Sequence, residues 1–136
     1  MKRYLIGAGG HATVLHDIAK KSGIEINGVF VDSGAKNITT LQVVDTIDNI
    51  VNYPEDEFIL AFGNLKVREN LIRVLTSKGT HWFSLIDPSA VICDDVKIGV
   101  GVAIMPGSII NSGAEIHDHA IINSGAIVEH GCVVGE

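Results

Sequence analysis

Gly7, Gly9 and Ala12, within Gly7-Ala8-Gly9-Gly10-His11-Ala12, fall at the spacing G-x-G-x-x-G/A, and that spacing has a chemistry. Glycines there let the backbone turn sharply and approach a phosphate lodged at the N-terminus of a following helix. About twenty residues further on stands Asp32, where such folds set an acid near ribose hydroxyls; the same acid also reads as a loop cap. His11 stands in the loop itself and reads either as a support for the turn or as a contact to a ligand. His16 and His81 carry no signal beyond a helix surface and a strand end.

A phosphate loop needs a strand before it and a helix after it. Tyr4-Leu5-Ile6 supplies the strand, and the pattern of Leu15, Ile18 and Ala19 predicts a helix closing at Lys20-Lys21-Ser22-Gly23, since basic residues and then glycine suit a helix C-terminus. A second strand is expected over 26–31, a short one over 41–44, and a buried parallel strand over 58–62. Gly63-Asn64 closes that strand, with Asn64 as N-cap of a helix that carries Val67, Leu71, Val74 and Leu75 on one face and ends at Lys78-Gly79. Residues 82–86 read as a further strand, and Asp87-Pro88 turns the chain into a different regime.

From Ile86 onward the period is six. Ile86, Ile92, Ile98, Ile104, Ile110, Ile116, Ile122, Val128 and Val134 keep one register without a miss. Four places after each of the first eight comes a small or β-branched residue: Ala90, Val96, Val102, Ser108, Ala114, Ala120, Ala126 and Cys132. Neither helical spacing nor strict alternation fits. A hexapeptide period marks a β-helix in which each short strand sends one aliphatic side chain to the axis and three strands complete a coil of eighteen residues. The position before the small residue holds Gly101, Gly107, Gly113, Gly125 and Gly131, with His119 breaking the row; repeated corners call for torsions that glycine reaches without strain. The fold class is therefore α/β plus a β-solenoid: a small Rossmann-like domain over 1–85 and a parallel β-helix over 86–136.

Charge separates the halves. Residues 1–85 carry nine Lys or Arg against nine Asp or Glu, whereas 86–136 carry Lys97 against seven acids, which accounts for the net charge of −6. An acidic solenoid is a poor partner for nucleic acid, whose binding rests on neutralising phosphates. No apolar run approaches the ~20 residues of a membrane span, and the first residues lack the pattern of a signal peptide; no membrane association and a cytoplasmic location are expected. Two cysteines are too few for a disulfide framework, and Cys132 is expected to pack inward as a small hydrophobe.

The whole chain resembles the sugar acyltransferases of the left-handed β-helix superfamily, and within them the sialic acid O-acetyltransferases and nucleotide-linked 4-amino-sugar N-acetyltransferases of bacterial surface glycan synthesis. The resemblance is carried by Gly7 to His11, Asp32, Gly63-Asn64 and Asn123-Ser124-Gly125-Ala126-Ile127-Val128-Glu129-His130. It implies a left-handed β-helix, a homotrimer, acetyl-CoA as co-substrate between neighbouring solenoids, and a nucleotide-sugar or sialic acid as acceptor. Gly7, Gly9, Gly10, His11, Asp32, Gly63, Asn64 and Asn123 are the implied binding residues. His130, following Val128-Glu129, is the implied catalytic base, and its register two places after Val128 points it outward.

An imidazole titrating near neutrality suits removal of a proton from an attacking amine or hydroxyl, and a backbone N–H or Asn123 could steady the oxyanion. Several relatives carry an acid directly after this histidine, where this chain has Gly131; Glu129 or another subunit is then expected to orient it. Three-histidine zinc sites occur in some proteins of this fold, but offsets of thirteen and eleven residues set His117 and His119 on other faces than His130, so no metal is expected. After about three coils the sequence stops partway through a hexad. That ending predicts a truncated form, able to bind nucleotide-sugar and impaired in transfer, with a non-enzymatic binding module as the alternative.

Overall fold

The computed structural model describes residues 1–136 as two compact units, Met1–Asp17 with Glu25–Phe83, and Ile18–Ile24 with Ser84–Glu136. In the first, strands β1 (Arg3–Ile6), β2 (Val29–Val31), β3 (Val43–Thr46), β4 (Glu57–Leu60) and β5 (His81–Trp82) form one sheet in the order β3-β2-β1-β4-β5. Every ladder in it is parallel. Helix α1 (Gly10–Lys21) follows β1, a short 3-10 helix over Ile47–Asn52 follows β3, and α2 (Leu65–Ser77) follows β4. Parallel strands covered on both faces must be apolar throughout, and Leu5, Ile6, Val29, Phe30 and Ile59 are fully buried. An aromatic cluster of Tyr4, Phe30, Tyr53 and Phe58 fills one side of the sheet, with Phe30 edge-on to Phe58 at 5.2 Å and to Tyr53 at 5.0 Å.

The helices follow their caps. On α1, Ala12, Leu15, Ile18 and Ala19 are buried, Lys20 and Lys21 occupy the last turn, and Gly23 follows at φ +70°. Asn64 is the N-cap of α2, its Oδ1 accepting from the Val67 N–H at 3.1 Å. The buried face of α2 includes the expected Leu75, with Leu71 and Val74 half-buried, but it is centred one position round on Arg68 and Ile72, and Val67 is exposed. Strand β2 also starts later than residue 26. Gly28 adopts φ +149°, and a Cβ there would strike Val44 and lie 2.9 Å from the Gln42 carbonyl; β2 begins only at Val29, and its register against β3 shifts between Val29 and Phe30.

In the second unit, β6 (Leu85–Ile86) to β14 (Val133–Val134) are nine two-residue strands: β7 (Val91–Ile92), β8 (Lys97–Ile98), β9 (Ala103–Ile104), β10 (Ile109–Ile110), β11 (Glu115–Ile116), β12 (Ile121–Ile122) and β13 (Ile127–Val128) lie between. They stack into three parallel sheets, β6-β9-β12, β7-β10-β13 and β8-β11-β14. Ile86 pairs with Ile104, Ile104 with Ile122, Ile92 with Ile110 and Ile110 with Val128, which is the eighteen-residue coil that the hexads require. Ile104, Ile110, Ile116 and Val102 form the buried axis with Ala114 and Ala120. The strand expected over 82–86 is two strands, one in each unit. Cys132 is exposed rather than packed inward, whereas Ala114, at the same hexad position one coil earlier, is fully buried.

Asp87 opens the first coil and is buried, with its carboxylate accepting from the Ser89 N–H at 2.9 Å and the Ser89 hydroxyl at 2.6 Å and paired with Lys21 of the same compact unit. Burial by itself would raise this carboxyl; the bonds from Lys21 and Ser89 outweigh it and hold the group below the usual carboxylate range. A depressed carboxyl stabilises the fold above its unfolded value near ~3.9 and loses that contribution as pH falls through the folded value. Asp87→Ala should therefore cost roughly 2 kcal/mol at neutral pH. In denaturant titrations the gap between variant and native protein should close below about pH 4; a gap that persists there would assign the loss to packing.

Candidate functional site

In an open parallel sheet, ligands bind beyond the carboxyl ends of the strands, at the point where strand order reverses. With the order β3-β2-β1-β4-β5 that point lies between β1 and β4. Gly7 follows β1 there, and residues 61–64 follow β4. The two connections touch: the Ala61 N–H donates to the Ile6 carbonyl at 2.8 Å, and a Cβ on Gly7, at φ +115°, would lie 3.1 Å from the Ala61 carbonyl oxygen. Gly7 is thus a packing glycine as well as a turn. Gly9 and Gly10 are different, because both are exposed and a Cβ on either would meet nothing within 4 Å.

At the carboxyl ends of these two strands the topology sets Gly7, Gly9, Gly10 and His11 after β1 and Gly63 and Asn64 after β4. Asp32 follows β2, the strand beside β1, and is exposed; its carbonyl accepts from the Ala35 N–H at 3.0 Å, which makes the turn, while its carboxylate takes no part in it. The first N–H groups of α1 have no intrahelical acceptor, and no acid occupies that first turn, so an anion is favoured there. His11 is half-buried, its Nε2 fully so and without a hydrogen-bond partner. Burial first, and then the charge of Arg68, lower its pKa from the ordinary imidazole value. Arg68 is the residue that the sequence reading passed over. Its spacing to Ile72 and Leu75, four and seven places, is itself a helix-face signal.

Because the space at Gly9 is open, Gly9→Ala should leave thermal stability within about 1 kcal/mol of native while weakening any phosphate-bearing ligand by about tenfold or more, since the methyl takes the ground such a ligand would occupy. Calorimetric titration beside a thermal melt checks both halves. Unchanged affinity in a folded variant would leave this loop as a structural turn only.

The second candidate lies in the other unit. His130 is exposed, in the turn at 130–131 between β13 and β14, and no hydrogen bond holds its imidazole. Glu129 is engaged elsewhere: its carboxylate accepts from the Asn111 side chain of the coil before, at 3.4 Å. Asn123 is exposed in the turn before β13, so within one chain it and His130 occupy different corners of the coil; its carbonyl accepts from the buried Ser108 hydroxyl at 3.0 Å. His117 follows β11 and is exposed, 3.5 Å from Glu115, whereas His119 is buried. No group of three His, Cys, Asp or Glu side chains is gathered to hold a metal ion, and no helix is long and apolar enough to cross a membrane.

Residues 2–75 match the family described as the PglD N-terminal domain. Among solved structures, the chain is similar to PerB of Caulobacter crescentus in complex with CoA and GDP-perosamine, with a TM-score of 0.87 and 31% identity over 98% of this chain and 65% of that one. The same organism's perosamine N-acetyltransferase is also solved with a histidine replaced by alanine, at a TM-score of 0.89 and 30% identity. The acetyltransferase domain of PglB from Neisseria gonorrhoeae, in complex with acetyl coenzyme A, gives 0.84 and 26% identity over 97% of this chain and 66% of that one. An uncharacterized protein of Acanthamoeba polyphaga mimivirus is 34% identical over 99 residues, which are 72% of this chain and 20% of that protein. The chain thus spans about two thirds of the length of the solved enzymes that it matches. Its solenoid is the left-handed β-helix of these acetyltransferases. With more than half its length matched, at a switch-point loop built as described above, the chain belongs to the PglD N-terminal domain family.

Proposed function

We propose that this chain acts in the acetyl-CoA-dependent N-acetylation of a nucleotide-linked amino-sugar, with residues 1–85 binding the nucleotide-sugar and 86–136 carrying the catalytic base. What carries the reading is the pairing, in one chain, of an open glycine loop at a sheet switch point with a hexapeptide solenoid bearing an outward histidine. The Caulobacter enzyme, similar over 98% of this chain and bound to CoA and GDP-perosamine, supports it. An amine rather than a hydroxyl acceptor is the better match, since the similar Caulobacter enzyme is named as a perosamine N-acetyltransferase.

The residues then have these roles. The nucleotide phosphates meet the N–H groups at the start of α1 over Gly9 and Gly10, with His11, Asp32, Gly63 and Asn64 bounding the rest of the acceptor. Acetyl-CoA supplies the acyl group as a thioester. His130 takes a proton from the sugar amine as nitrogen attacks the carbonyl, and returns it to the departing sulfur when the tetrahedral intermediate collapses. A homotrimer would bring a second wall to His130. Val91, Ile109 and Ile127 stack in register on the outer face of the β7-β10-β13 sheet, one turn before that histidine, with Val91 61% and Ile127 59% exposed. This apolar ladder suits a second copy, and cytoplasmic sugar nucleotides suit the reaction.

A binding module without transfer is the second reading, favoured by charge. Lys97 is the single cation of 86–136 and stands 3.7 Å from Glu115, which leaves little in these coils for CoA phosphates. Thiol release from acetyl-CoA, followed with a panel of nucleotide-linked 4-amino-sugars and free sialic acids, separates the readings. Release with an amino-sugar alone is expected; release with sialic acids alone would move the acceptor to a hydroxyl, and nucleotide binding without release would establish the module.

A further inference from the structure

Burying a guanidinium is costly unless its N–H groups are well occupied, yet Arg68 is 4% exposed. Its Nη1 donates to the Phe62 carbonyl at 3.0 Å and reaches the Leu60 carbonyl at 3.5 Å. Those carbonyls bracket Ala61, the residue whose N–H is bonded to Ile6 and whose oxygen lies against Gly7. One side chain thus ties the end of β4 to the connection that leads into Gly63 and Asn64, on the wall facing the glycine loop. His11, in the first turn of α1, is the titratable group set against this charge, and no acid in that turn opposes it.

We propose that Arg68 is a positioning residue of the switch-point site: it clamps the β4–α2 connection at the crevice wall and sets a fixed positive charge behind His11, so that the buried, unpartnered Nε2 is held for an uncharged polar group of the ligand. The inference rests on the nucleotide-sugar reading of residues 1–85. Its chemistry divides the labour in the crevice. A histidine kept below its ordinary pKa by burial and by Arg68 is a neutral ring near pH 7, and a neutral ring bonds a base edge, a hydroxyl or an amide and adds no charge toward phosphate. Phosphate then falls to the backbone N–H groups at Gly9 and Gly10.

The test has a ligand-free arm and a ligand arm. Imidazole proton resonances of His11 are titrated by NMR in native protein, Arg68→Met and Arg68→Lys, with thermal melts to establish folding. The native midpoint is expected below ~6.5 and should rise in Arg68→Met, while Arg68→Lys, which keeps the charge, should stay low. Calorimetry with GDP and with UDP should show about tenfold weaker binding in both variants, because neither side chain spans the two carbonyls. Only Arg68→Met should gain a pH dependence, between about pH 5 and 7. An unmoved His11 midpoint in folded Arg68→Met, with native protein binding nucleotide, overturns the role of Arg68 alone. Native protein that binds neither nucleotide overturns the underlying site reading, and this inference with it. Should Arg68→Met fail to fold, Arg68→Lys decides: a low midpoint with weakened binding supports the clamp, and native affinity overturns it.

Discussion

His130→Ala should lower acetyl transfer by about 10²- to 10⁴-fold, the usual contribution of a positioned general base, and should leave nucleotide affinity as it was. The two halves of the expectation come from the fold. His130 lies in a solvent-exposed turn of the solenoid, where the hydrogen-bond ladder of the coil runs through backbone groups and neighbouring residues: Gly131 N–H donates to the Ser112 carbonyl and Cys132 N–H to the Glu129 carbonyl. Nothing in that ladder uses the imidazole, so its loss should cost little stability, and a fall in rate reads as chemistry. The crevice at Gly7 to His11 belongs to the other compact unit, so binding there supplies an internal control. The rate should fall through kcat with KM for the sugar nearly unchanged, as when an interaction made in the transition state is removed. Native turnover by a folded His130→Ala protein would sink the base. A matched rise in KM would instead make His130 a binding group.

Much of this arrangement was legible in the residues because each signal was local. One aliphatic residue every six fixes the coil, and from Val128 the register alone turns His130 outward. Gly63-Asn64 announces its helix because an N-cap needs only its own side chain and an N–H three residues on. What stayed hidden depends on residues far apart in sequence. An arginine on the buried face of α2 contradicts the expectation that charge stays out, and only the carbonyls of Leu60 and Phe62 make its place intelligible. Just before β2, Val44 and Gln42 crowd Gly28. Glu129 reads as a partner for the neighbouring histidine until Asn111, eighteen residues back, is seen to claim its carboxylate. His119 is the sharpest case, visible as a break in the row of corner glycines and explained only by the coil before it.

Gly101→Ala should be among the most damaging single substitutions in the solenoid, and its cost can be divided into two causes. The first is torsional. Gly101 adopts φ +67°, where an L-residue pays roughly 1–2 kcal/mol. The second is steric: a Cβ there would strike Nδ1 of His119 and lie 2.7 Å from its Cε1, in a ring that is 5% exposed and has little room to retreat. Overpacking of that kind adds about 1–3 kcal/mol, for a sum of roughly 2–5 kcal/mol. Gly125 isolates the torsional part, since its φ is +70° and a Cβ on it meets nothing within 4 Å; Gly125→Ala should cost only about 1–2 kcal/mol. The steric part is isolated by His119→Gly, which removes the ring and also the φ of +61° that His119 itself maintains outside the usual range. In that background Gly101→Ala should fall to the Gly125 value, a coupling of about 1–3 kcal/mol between residues eighteen apart. Denaturant unfolding of the four proteins of the cycle measures it. Equal costs of Gly101→Ala in both backgrounds would place the whole penalty in the backbone, and His119 would then be a tolerated substitution for glycine. Strong coupling would instead show two consecutive coils packed as one unit, in which the missing side chain of Gly101 leaves the space that the imidazole of the next coil occupies.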